Sequence, residues 1–348
     1  QLARHDLSQS GFAKTGWTMK QRMVHCLASL AGRRNEYRQI GTCFGPYKLV
    51  EEIGEGGMGS VYMATQEEPV RRRVALKVIK PGMDSKQVVS RFEAERQALA
   101  MMDHPNIARV IDGGTTDSGR LYFVMELVKG IPITQYADQH RLSTNERLEL
   151  FGDVCRAVHH AHQKGIIHRD LKPSNILVTQ LDEKAIPKVI DFGIAKATNG
   201  QLMDGSLVTG SSQLVGTPMY MSPEQAEASV VDVDTRSDVY SLGVLLYELL
   251  TGTTPFGRKR MSSVSFDEFR RIVREEDPPR PSTRWSTLDA ALDTVAEKHQ
   301  ANPRTLTQQV SGELDWIVMK ALEKDRARRY ESANELAKDV DRHLHDQP

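Results

Sequence analysis

The stretch that decides the fold lies near residue 55 and carries three spaced glycines. It reads Ile53-Gly54-Glu55-Gly56-Gly57-Met58-Gly59-Ser60-Val61, a G-x-G-x-x-G-x-V pattern. Glycines at this spacing let a backbone turn pass close to a phosphate chain, because they lack side chains and tolerate unusual backbone angles. The same spacing occurs in ordinary hairpins and in dinucleotide-binding turns, so the pattern alone leaves these interpretations open.

Three further motifs follow the glycines along the chain. They are Val74-Ala75-Leu76-Lys77, His168-Arg169-Asp170-Leu171-Lys172-Pro173-Ser174-Asn175 and Asp191-Phe192-Gly193. Four signatures in one order are hard to produce by chance. A dinucleotide-binding turn needs a helix after the glycines and an acidic residue about 20 positions further on. Here a second strand is predicted after the turn, and Lys77 occupies the place of that acid, which argues against a dinucleotide-binding oxidoreductase.

Length and composition are those of an ordinary globular protein. The chain has 348 residues, 39% hydrophobic and 26% charged, which suits two lobes or two domains. Lys+Arg and Asp+Glu both total 46, so the net charge gives no indication of a nucleic-acid partner. The three cysteines lack paired or metal-like spacing and fit a reducing cytosol. No run is long enough for a membrane span. The first residue is Gln rather than Met, and we expect a fragment of a longer protein.

Hydrophobic patterning divides the chain into three parts. Residues 1–46 are predicted to be a basic, flexible leader. Residues 47–128 contain alternating apolar positions typical of strands, with helical spacing over 88–102. The predicted strands are Tyr47–Ile53, Val61–Ala64, Val74–Ile79, Ile107–Ile111 and Leu121–Leu127. Residues 131–346 are mainly helical, with a long surface loop over 193–224 and an unpatterned stretch at 286–312 that we interpret as an insertion.

Taken together, the four motifs resemble those of eukaryotic-type (Hanks-type) serine/threonine protein kinases. The segment from Gly216 to Glu224 is similar to that of bacterial members, and the resemblance covers residues 47–346. It implies an α+β, bilobal fold with a small antiparallel-sheet N-lobe, one main N-lobe helix and a larger helical C-lobe. It also implies a cytoplasmic kinase domain, although related bacterial kinases often continue into a membrane anchor.

The resemblance implies a reaction and its cofactors. The γ-phosphate of ATP passes to serine or threonine hydroxyls of protein substrates, with Mg²⁺, or Mn²⁺ in its place, bound to the phosphates. It implies Asp170 as the catalytic base and Lys172 as the group that neutralises the γ-phosphate. Lys77 would bind the α- and β-phosphates, anchored by Glu95, with Glu93 as the rival anchor. Self-association for autophosphorylation is expected, and nucleic acid is not an expected partner.

Two groups of residues are expected to hold the nucleotide and its metal ion. Asn175 and Asp191 provide hard oxygen ligands that suit Mg²⁺. The expected nucleotide contacts lie in the glycine turn, the adenine pocket and the segment between the lobes: Ile53, Gly54, Glu55, Gly56, Gly57, Met58, Gly59, Ser60, Val61, Ala75, Lys77, Glu126, Val128 and Leu177. Met125 is expected at the back of the adenine pocket.

The resemblance also implies supporting contacts. His168 and Phe192 are expected to pack with Leu99 rather than to act in chemistry. Asp238 would brace the catalytic loop from below, and Glu224 would pair with Arg329. Arg169 needs an anion, and a phosphorylated Thr209 or Ser211 in the 193–224 loop would supply it. Thr217 is expected to contact Asp170 and Lys172.

Two other functions within the same fold remain as alternatives. A pseudokinase, used as a nucleotide-binding scaffold, usually lacks the counterparts of Lys77, Asp170 or Asp191, and all three are present here. A small-molecule kinase is disfavoured by Lys172 and by the Gly216–Glu224 segment, which are typical of kinases with protein substrates.

Overall fold

The computed structural model describes residues 40–56, 59–79, 97, 99–116, 119–192, 218–227, 233–284 and 289–347. Several predictions lie outside these residues: the leader before residue 40, most of the helix predicted over 88–102 with Glu93 and Glu95, and the loop over 193–217. Gly57, Met58, Thr209, Ser211 and Thr217 also lie outside the described residues.

The N-lobe is a six-stranded antiparallel sheet. Its strands are β1 (Cys43–Phe44), β2 (Tyr47–Gly56), β3 (Gly59–Gln66), β4 (Arg72–Ile79), β5 (Val110–Thr115) and β6 (Leu121–Glu126), in the spatial order β1-β2-β3-β4-β6-β5. The glycine turn joins β2 to β3, so it is the tip of a hairpin, as predicted. The sheet begins with β1, which pairs with the start of β2 and extends the lobe a few residues before Tyr47.

Side chains alternate between the two faces of the sheet, because a strand has a period of two. One apolar cluster takes every second residue of β4: Val74, Leu76 and Val78. A second cluster takes the intervening apolar residues, Ala75 and Ile79, together with Phe123 and Met125 of β6. Lys77 lies between Ala75 and Ile79 and therefore shares their face of the sheet, where it lines a small cavity with Ile79, Phe123 and Met125.

The prediction of a strand over Ile107–Ile111 is wrong at both ends. β5 runs from Val110 to Thr115 and includes Gly113 and Gly114. Ile107 instead forms a bridge to Val189 in the C-lobe, and the backbone N–H of Ala108 donates to the Val189 carbonyl at 2.9 Å. The apolar residues before β5 therefore connect the two lobes, a role that strand patterning cannot distinguish from sheet pairing.

The C-lobe combines a small sheet with eleven helices among the described residues. The sheet has the order β7-β8-β9, formed by β7 (Ile131–Pro132), β8 (Ile176–Leu181) and β9 (Lys184–Val189). The helices are α1 (Ile133–Gln139), α2 (Thr144–Gln163), α3 (Pro223–Ala226), α4 (Thr235–Thr251), α5 (Arg258–Ser263), α6 (Phe266–Glu275), α7 (Pro281–Arg284), α8 (Asp289–Lys298), α9 (Pro303–Val310), α10 (Glu313–Ala321) and α11 (Ala333–Leu344). Single 3₁₀ turns lie at Pro173–Asn175, Pro218–Tyr220 and Arg326–Arg328.

Local sequence explains where α2 begins. A capping box opens this helix, because the Ser143 side chain accepts from the Glu146 N–H while the Glu146 carboxylate accepts from the Ser143 N–H. In α4 every residue from Ser237 to Thr251 is buried, so this helix is the axis of the C-lobe core. Within the described residues, no helix combines the length and the apolar character needed to cross a bilayer.

The stretch 286–312 is not the unpatterned insertion that we expected. It contains α8 and α9, and Ala296, Leu306 and Val310 are buried in the main C-lobe core. Both helices are short, and Asn302 with Pro303 interrupts the apolar repeat between them. Asn302 caps α9 by accepting from the Thr305 N–H at 2.8 Å, and Pro303 takes the first helical position.

Candidate active site

The glycine hairpin forms the roof of the site. Gly54 pairs with Val61 and Gly56 with Gly59 across the two strands. A β-carbon on Gly54 would meet no atom within 4 Å, so that position opens onto free space. A β-carbon on Gly59 would lie 2.0 Å from the carbonyl oxygen of Val78. Gly59 is therefore required by the close approach of β4, a reason separate from the expected approach of a phosphate chain.

Lys77 supplies a positive charge below the glycine hairpin. Its ammonium forms an ion pair with the carboxylate of Asp191 from the C-lobe. The Lys77 residue is 9% exposed, so its charge is partly shielded from water. Asp191 has a φ of +59°, a left-handed backbone conformation that directs the chain out of β9. The structure thus brings together two predicted site residues that are 114 positions apart.

The catalytic loop follows α2 and carries three predicted site residues. Lys172 lies 2.8 Å from the carboxylate of Asp170. The side-chain amide of Asn175 donates to the Asp170 carbonyl at 2.8 Å and to its carboxylate at 3.2 Å. These bonds use the nitrogen of the Asn175 amide, so the oxygen is the atom left to face a metal ion.

Backbone pairing places the two predicted metal ligands near each other. The N–H of Ile190, the residue before Asp191, donates to the carbonyl of Asn175 at 2.9 Å. The Asp191 carboxylate, which pairs with Lys77, and the Asn175 amide oxygen therefore belong to neighbouring backbone segments. Mg²⁺ is commonly bound by one or two carboxylates together with substrate phosphates, so this donor set fits such an ion.

Buried polar contacts hold the catalytic loop from below, as predicted for Asp238. Its carboxylate accepts from the backbone N–H of His168 at 2.7 Å and of Arg169 at 2.8 Å. Burial would raise the pKa of Asp238, but the hydrogen bonds from His162 and His168 hold it below its usual value. The carboxylate is therefore ionised at neutral pH and can keep both N–H groups oriented.

His168 and Phe192 pack as the sequence predicts. Their ring centroids are 4.7 Å apart, and Phe192 belongs to the main apolar cluster with Leu99. Burial lowers the pKa of His168, and its Nε2 lies 3.0 Å from the carbonyl of Ile190. A neutral, fully buried ring bonded to the backbone cannot reach a substrate, which supports a packing role.

The remaining predicted nucleotide contacts differ in their exposure. Ala75 is buried, Val61, Val128 and Leu177 are half-buried, and Ile53 lies exposed at the edge. The backbone N–H of Glu126 donates to the carbonyl of Arg109 at 2.8 Å, and the carboxylate of Glu126 pairs with Lys188. The backbone N–H of Glu126 is therefore already used and is not available to adenine.

The helix after the long loop is fixed by the predicted ion pair. Arg329 donates through both terminal nitrogens to the carboxylate of Glu224, at 2.7 and 2.8 Å. Burial opposes ionisation of Glu224, but its hydrogen bonds and pairing with Arg329 hold its pKa below the usual value. Ser222 caps the N-terminus of α3.

Three contacts near the site were missed from the sequence. His162 bonds to Asp238, Lys188 bonds to Glu126, and Gln225 bonds to the carbonyl of Arg169. The spacing Ser222-x-x-Gln225 is a capping-box signal that could have drawn attention to Gln225. Nothing in the local sequence around His162 or Lys188 indicates partners more than 60 residues away.

Comparison with known proteins agrees with this geometry. Residues 47–340 match the family model described as the protein kinase domain. The serine/threonine-protein kinase PknB of Mycobacterium tuberculosis is 38% identical over 299 residues, covering 84% of this chain and 42% of that protein. The probable serine/threonine-protein kinase PknB of Lactococcus lactis is 35% identical over 305 residues, 87% of this chain and 43% of that protein. The crystal structure of the Mycobacterium tuberculosis PknI kinase domain covers 87% of this chain and 98% of its own, with a TM-score of 0.60 and 27% identity.

The chain belongs to the protein kinase family. Its similarity to these relatives identifies it as a serine/threonine protein kinase domain of the bacterial, Hanks type. The relatives do not favour the pseudokinase alternative. Family membership implies the use of ATP with a divalent metal ion. The chain spans about two-fifths of the length of these curated relatives.

Proposed function

We propose that this domain transfers the γ-phosphate of ATP to serine and threonine hydroxyls of proteins. The observation that carries the proposal is the convergence of Asp170, Lys172 and Asn175 on one loop opposite the Lys77–Asp191 ion pair. Phosphoryl transfer depends on positioning and charge neutralisation more than on covalent chemistry, and this set provides both.

Each side chain has a distinct task in this proposal. Asp170 orients the substrate hydroxyl and accepts its proton, while Lys172, 2.8 Å away, places positive charge next to the transferred group. Lys77 binds the α- and β-phosphates, with Glu95 proposed as its anchor. A bound divalent ion, for which we propose Mg²⁺ with Mn²⁺ as a substitute, would neutralise phosphate charge. Asn175 and Asp191 are the residues that would hold it.

The adenine would lie between the two lobes. Val61 and Ala75 from the N-lobe and Leu177 from β8 would contact its faces, and backbone groups of Glu126 and Val128 would bond its edge. The glycine hairpin would cover the phosphates. The glycine turn joins two strands, and no helix follows it directly. The phosphates would therefore bond to backbone N–H groups of the turn itself.

A phosphate-transfer assay tests the proposal. The wild-type domain, with labelled ATP and Mg²⁺, should label a generic basic protein, and Asp170→Asn should reduce the rate at least about 100-fold, since it removes the general base. Asp182→Asn is the matched control, because Asp182 is an exposed residue of the β8–β9 turn. Equal labelling by wild type and Asp170→Asn would refute the assignment.

We also propose that autophosphorylation between residues 204 and 217 activates the domain. Support comes from Arg169, which lies directly before Asp170 and would pair with a phosphorylated Thr209 or Ser211. One copy would phosphorylate another, so transient self-association is part of the proposal. Mass spectrometry after incubation with ATP and Mg²⁺ should find phosphate in this segment, and its absence there would rule the proposal out. We place the reaction in the cytoplasm, with protein substrates.

A further inference from the structure

The backbone of Arg169 holds an uncommon conformation beside the catalytic base. Its φ is +63°, in the left-handed region, which residues other than glycine adopt rarely and only where the surroundings fix them. The N–H of Arg169 donates to Asp238 at 2.8 Å. The carbonyl of Arg169 accepts from Nε2 of Gln225 at 2.9 Å. Both polar backbone atoms of this residue are therefore held by side chains.

The amide of Gln225 is itself held in one orientation. Its oxygen accepts from the backbone N–H and from the hydroxyl of Ser222, each at 3.1 Å. The Ser222 hydroxyl in turn accepts from the N–H of Gln225 at 3.4 Å, so the two residues form a reciprocal capping box at the start of α3. Because the oxygen faces Ser222, the nitrogen must face the Arg169 carbonyl.

The Arg169 carbonyl belongs to the planar peptide unit that joins Arg169 to Asp170. Rotation of that plane moves the N–H of Asp170, which donates to Nδ1 of His168 at 3.3 Å, and with it the start of the Asp170 side chain. Asp238 fixes the two preceding peptide units, through the N–H groups of His168 and Arg169. In the plane next to the base, Gln225 holds the carbonyl and His168 accepts from the N–H.

We propose that Gln225 is a positioning residue for Asp170. Its side-chain amide couples the first turn of α3 to the peptide bond in front of the catalytic base. The inference rests on the proposed function, because it takes Asp170 as the group that accepts the substrate proton. It adds a residue outside the motifs that define the site, contributed by a segment more than 50 positions downstream.

The variant Gln225→Glu separates this contact from the capping box. A glutamate keeps the acceptor oxygen that Ser222 uses, since Ser-x-x-Glu is an equivalent form of the box. It lacks the N–H that the Arg169 carbonyl requires. We expect kcat to fall about tenfold, the effect of one lost hydrogen bond, with KM for ATP and the melting temperature close to wild type.

The pH profile supplies a readout that a purely structural role would not change. As pH falls toward the ordinary pKa of glutamate, about 4.3, a growing fraction of the side chain is protonated and can donate its O–H to the Arg169 carbonyl. The ratio of the variant kcat to the wild-type kcat should therefore rise as pH falls. Ser222→Ala is the comparison, because it weakens the cap without removing the Gln225 donor and should show no such rise.

The outcomes distinguish the inference from the proposed function. Wild-type kcat in Gln225→Glu at all pH values, or a pH-independent loss accompanied by a lower melting temperature, would overturn the positioning role. A wild-type domain that transfers no phosphate would refute the proposed function instead. The amide NMR resonance of Asp170 then decides the inference without catalysis: a shift in Gln225→Glu that Ser222→Ala does not reproduce supports it, and an unchanged resonance overturns it.

Discussion

Helix α4 has a buried charge at each end, and the two charges act on different parts of the molecule. Asp238 lies in its first turn, near the positive end of the helix dipole. At the other end, the guanidinium of Arg147 from α2 donates to the carbonyl of Leu249 at 3.1 Å. Each charge has the sign that its end of the helix dipole favours. Asp238 positions the catalytic loop, whereas Arg147 stabilises the fold.

The contacts of Arg147 explain the second role. The side chain is 2% exposed and donates to backbone carbonyls near the C-terminal ends of three helices. These carbonyls belong to Ala137 of α1, Leu249 of α4 and Lys298 of α8, and a further bond goes to Leu142. Asp138 completes the set at 3.1 Å. Burial lowers the pKa of Arg147 from its ordinary value, which is far above neutrality, so the group is charged at neutral pH.

The comparison shows that one physical rule serves two purposes in a single helix. A buried ion is tolerated where it satisfies several backbone groups at once, because these groups replace the water that it has lost. At the N-terminal end those groups belong to His168 and Arg169, so the ion determines the geometry of the active site. At the C-terminal end they belong to helices remote from the catalytic loop.

The largest expected effect is on stability, at the Arg147 end. Arg147→Met should lower the free energy of unfolding by about 3–5 kcal/mol, because four carbonyls and the Asp138 carboxylate lose a buried donor. Phosphate transfer per folded molecule should not change. Urea unfolding and an assay on the folded fraction measure the two quantities.

Arg141→Met is the matched control for this variant. Arg141 is an exposed arginine that pairs with Glu297 at 3.0 Å, and its removal should cost less than about 1 kcal/mol. Equal destabilisation by both variants would show that the buried network is not what stabilises this end of α4.

The next largest effect is on catalysis, at the Asp238 end. Asp238→Asn replaces one acceptor oxygen by a donor nitrogen, so one N–H of His168 or Arg169, or His162, loses its partner. We expect kcat to fall about 10- to 100-fold and the free energy of unfolding to fall by about 2 kcal/mol. Steady-state kinetics and urea unfolding on the same preparation test this.

Asp234→Asn provides the control at the same helix end. Asp234 caps α4 by accepting from the Arg236 N–H at 2.8 Å, and asparagine caps helices about as well as aspartate. Its kcat and stability should match wild type. An unchanged kcat in Asp238→Asn would remove the distinction between the two ends, because neither charge would then act on catalysis.

The two ends also differ in how far the sequence predicts them. Asp238 follows from the resemblance, because its place relative to the kinase motifs is part of the family pattern. Arg147 was not predicted: it lies in an amphipathic helix, and its partners are carbonyls of three distant helices that no local spacing encodes. Helices α8 and α9 were not predicted either, because Asn302 and Pro303 interrupt the apolar repeat and leave two short segments.

Within the active site, the motifs predicted which residues meet but not how each is held. Lys77 meets Asp191 and Asn175 meets Asp170, contacts between residues that the resemblance assigned to the site. The requirement for glycine at Gly59 comes from crowding by β4, which depends on sheet pairing and is invisible in the glycine pattern. Glu95 lies outside the described residues, so its pairing with Lys77 stays a prediction.

The smallest expected effect concerns acid sensitivity at the Arg147 end. His299 follows α8, is 2% exposed, and lies 3.3 Å from the hydroxyl of Thr144. Burial, and then the charge of Arg147, lower the pKa of His299 from 6.5 to about 3. Between these values the unfolded chain binds a proton that the native protein does not, so stability falls as pH falls. At about pH 5.5 this loss is about 1.4 kcal/mol relative to neutral pH.

His299→Gln should remove this loss, because glutamine does not titrate. The measurement is the free energy of unfolding at about pH 7.5 and about pH 5.5, for wild type, His299→Gln and the exposed control His140→Gln, which should keep the wild-type difference. At the opposite end of α4, burial also lowers the pKa of His168, but the neighbouring Asp238 carboxylate acts in the other direction. Acid sensitivity that persists in full in His299→Gln would show that His299 is not its source and would contradict this part of the comparison.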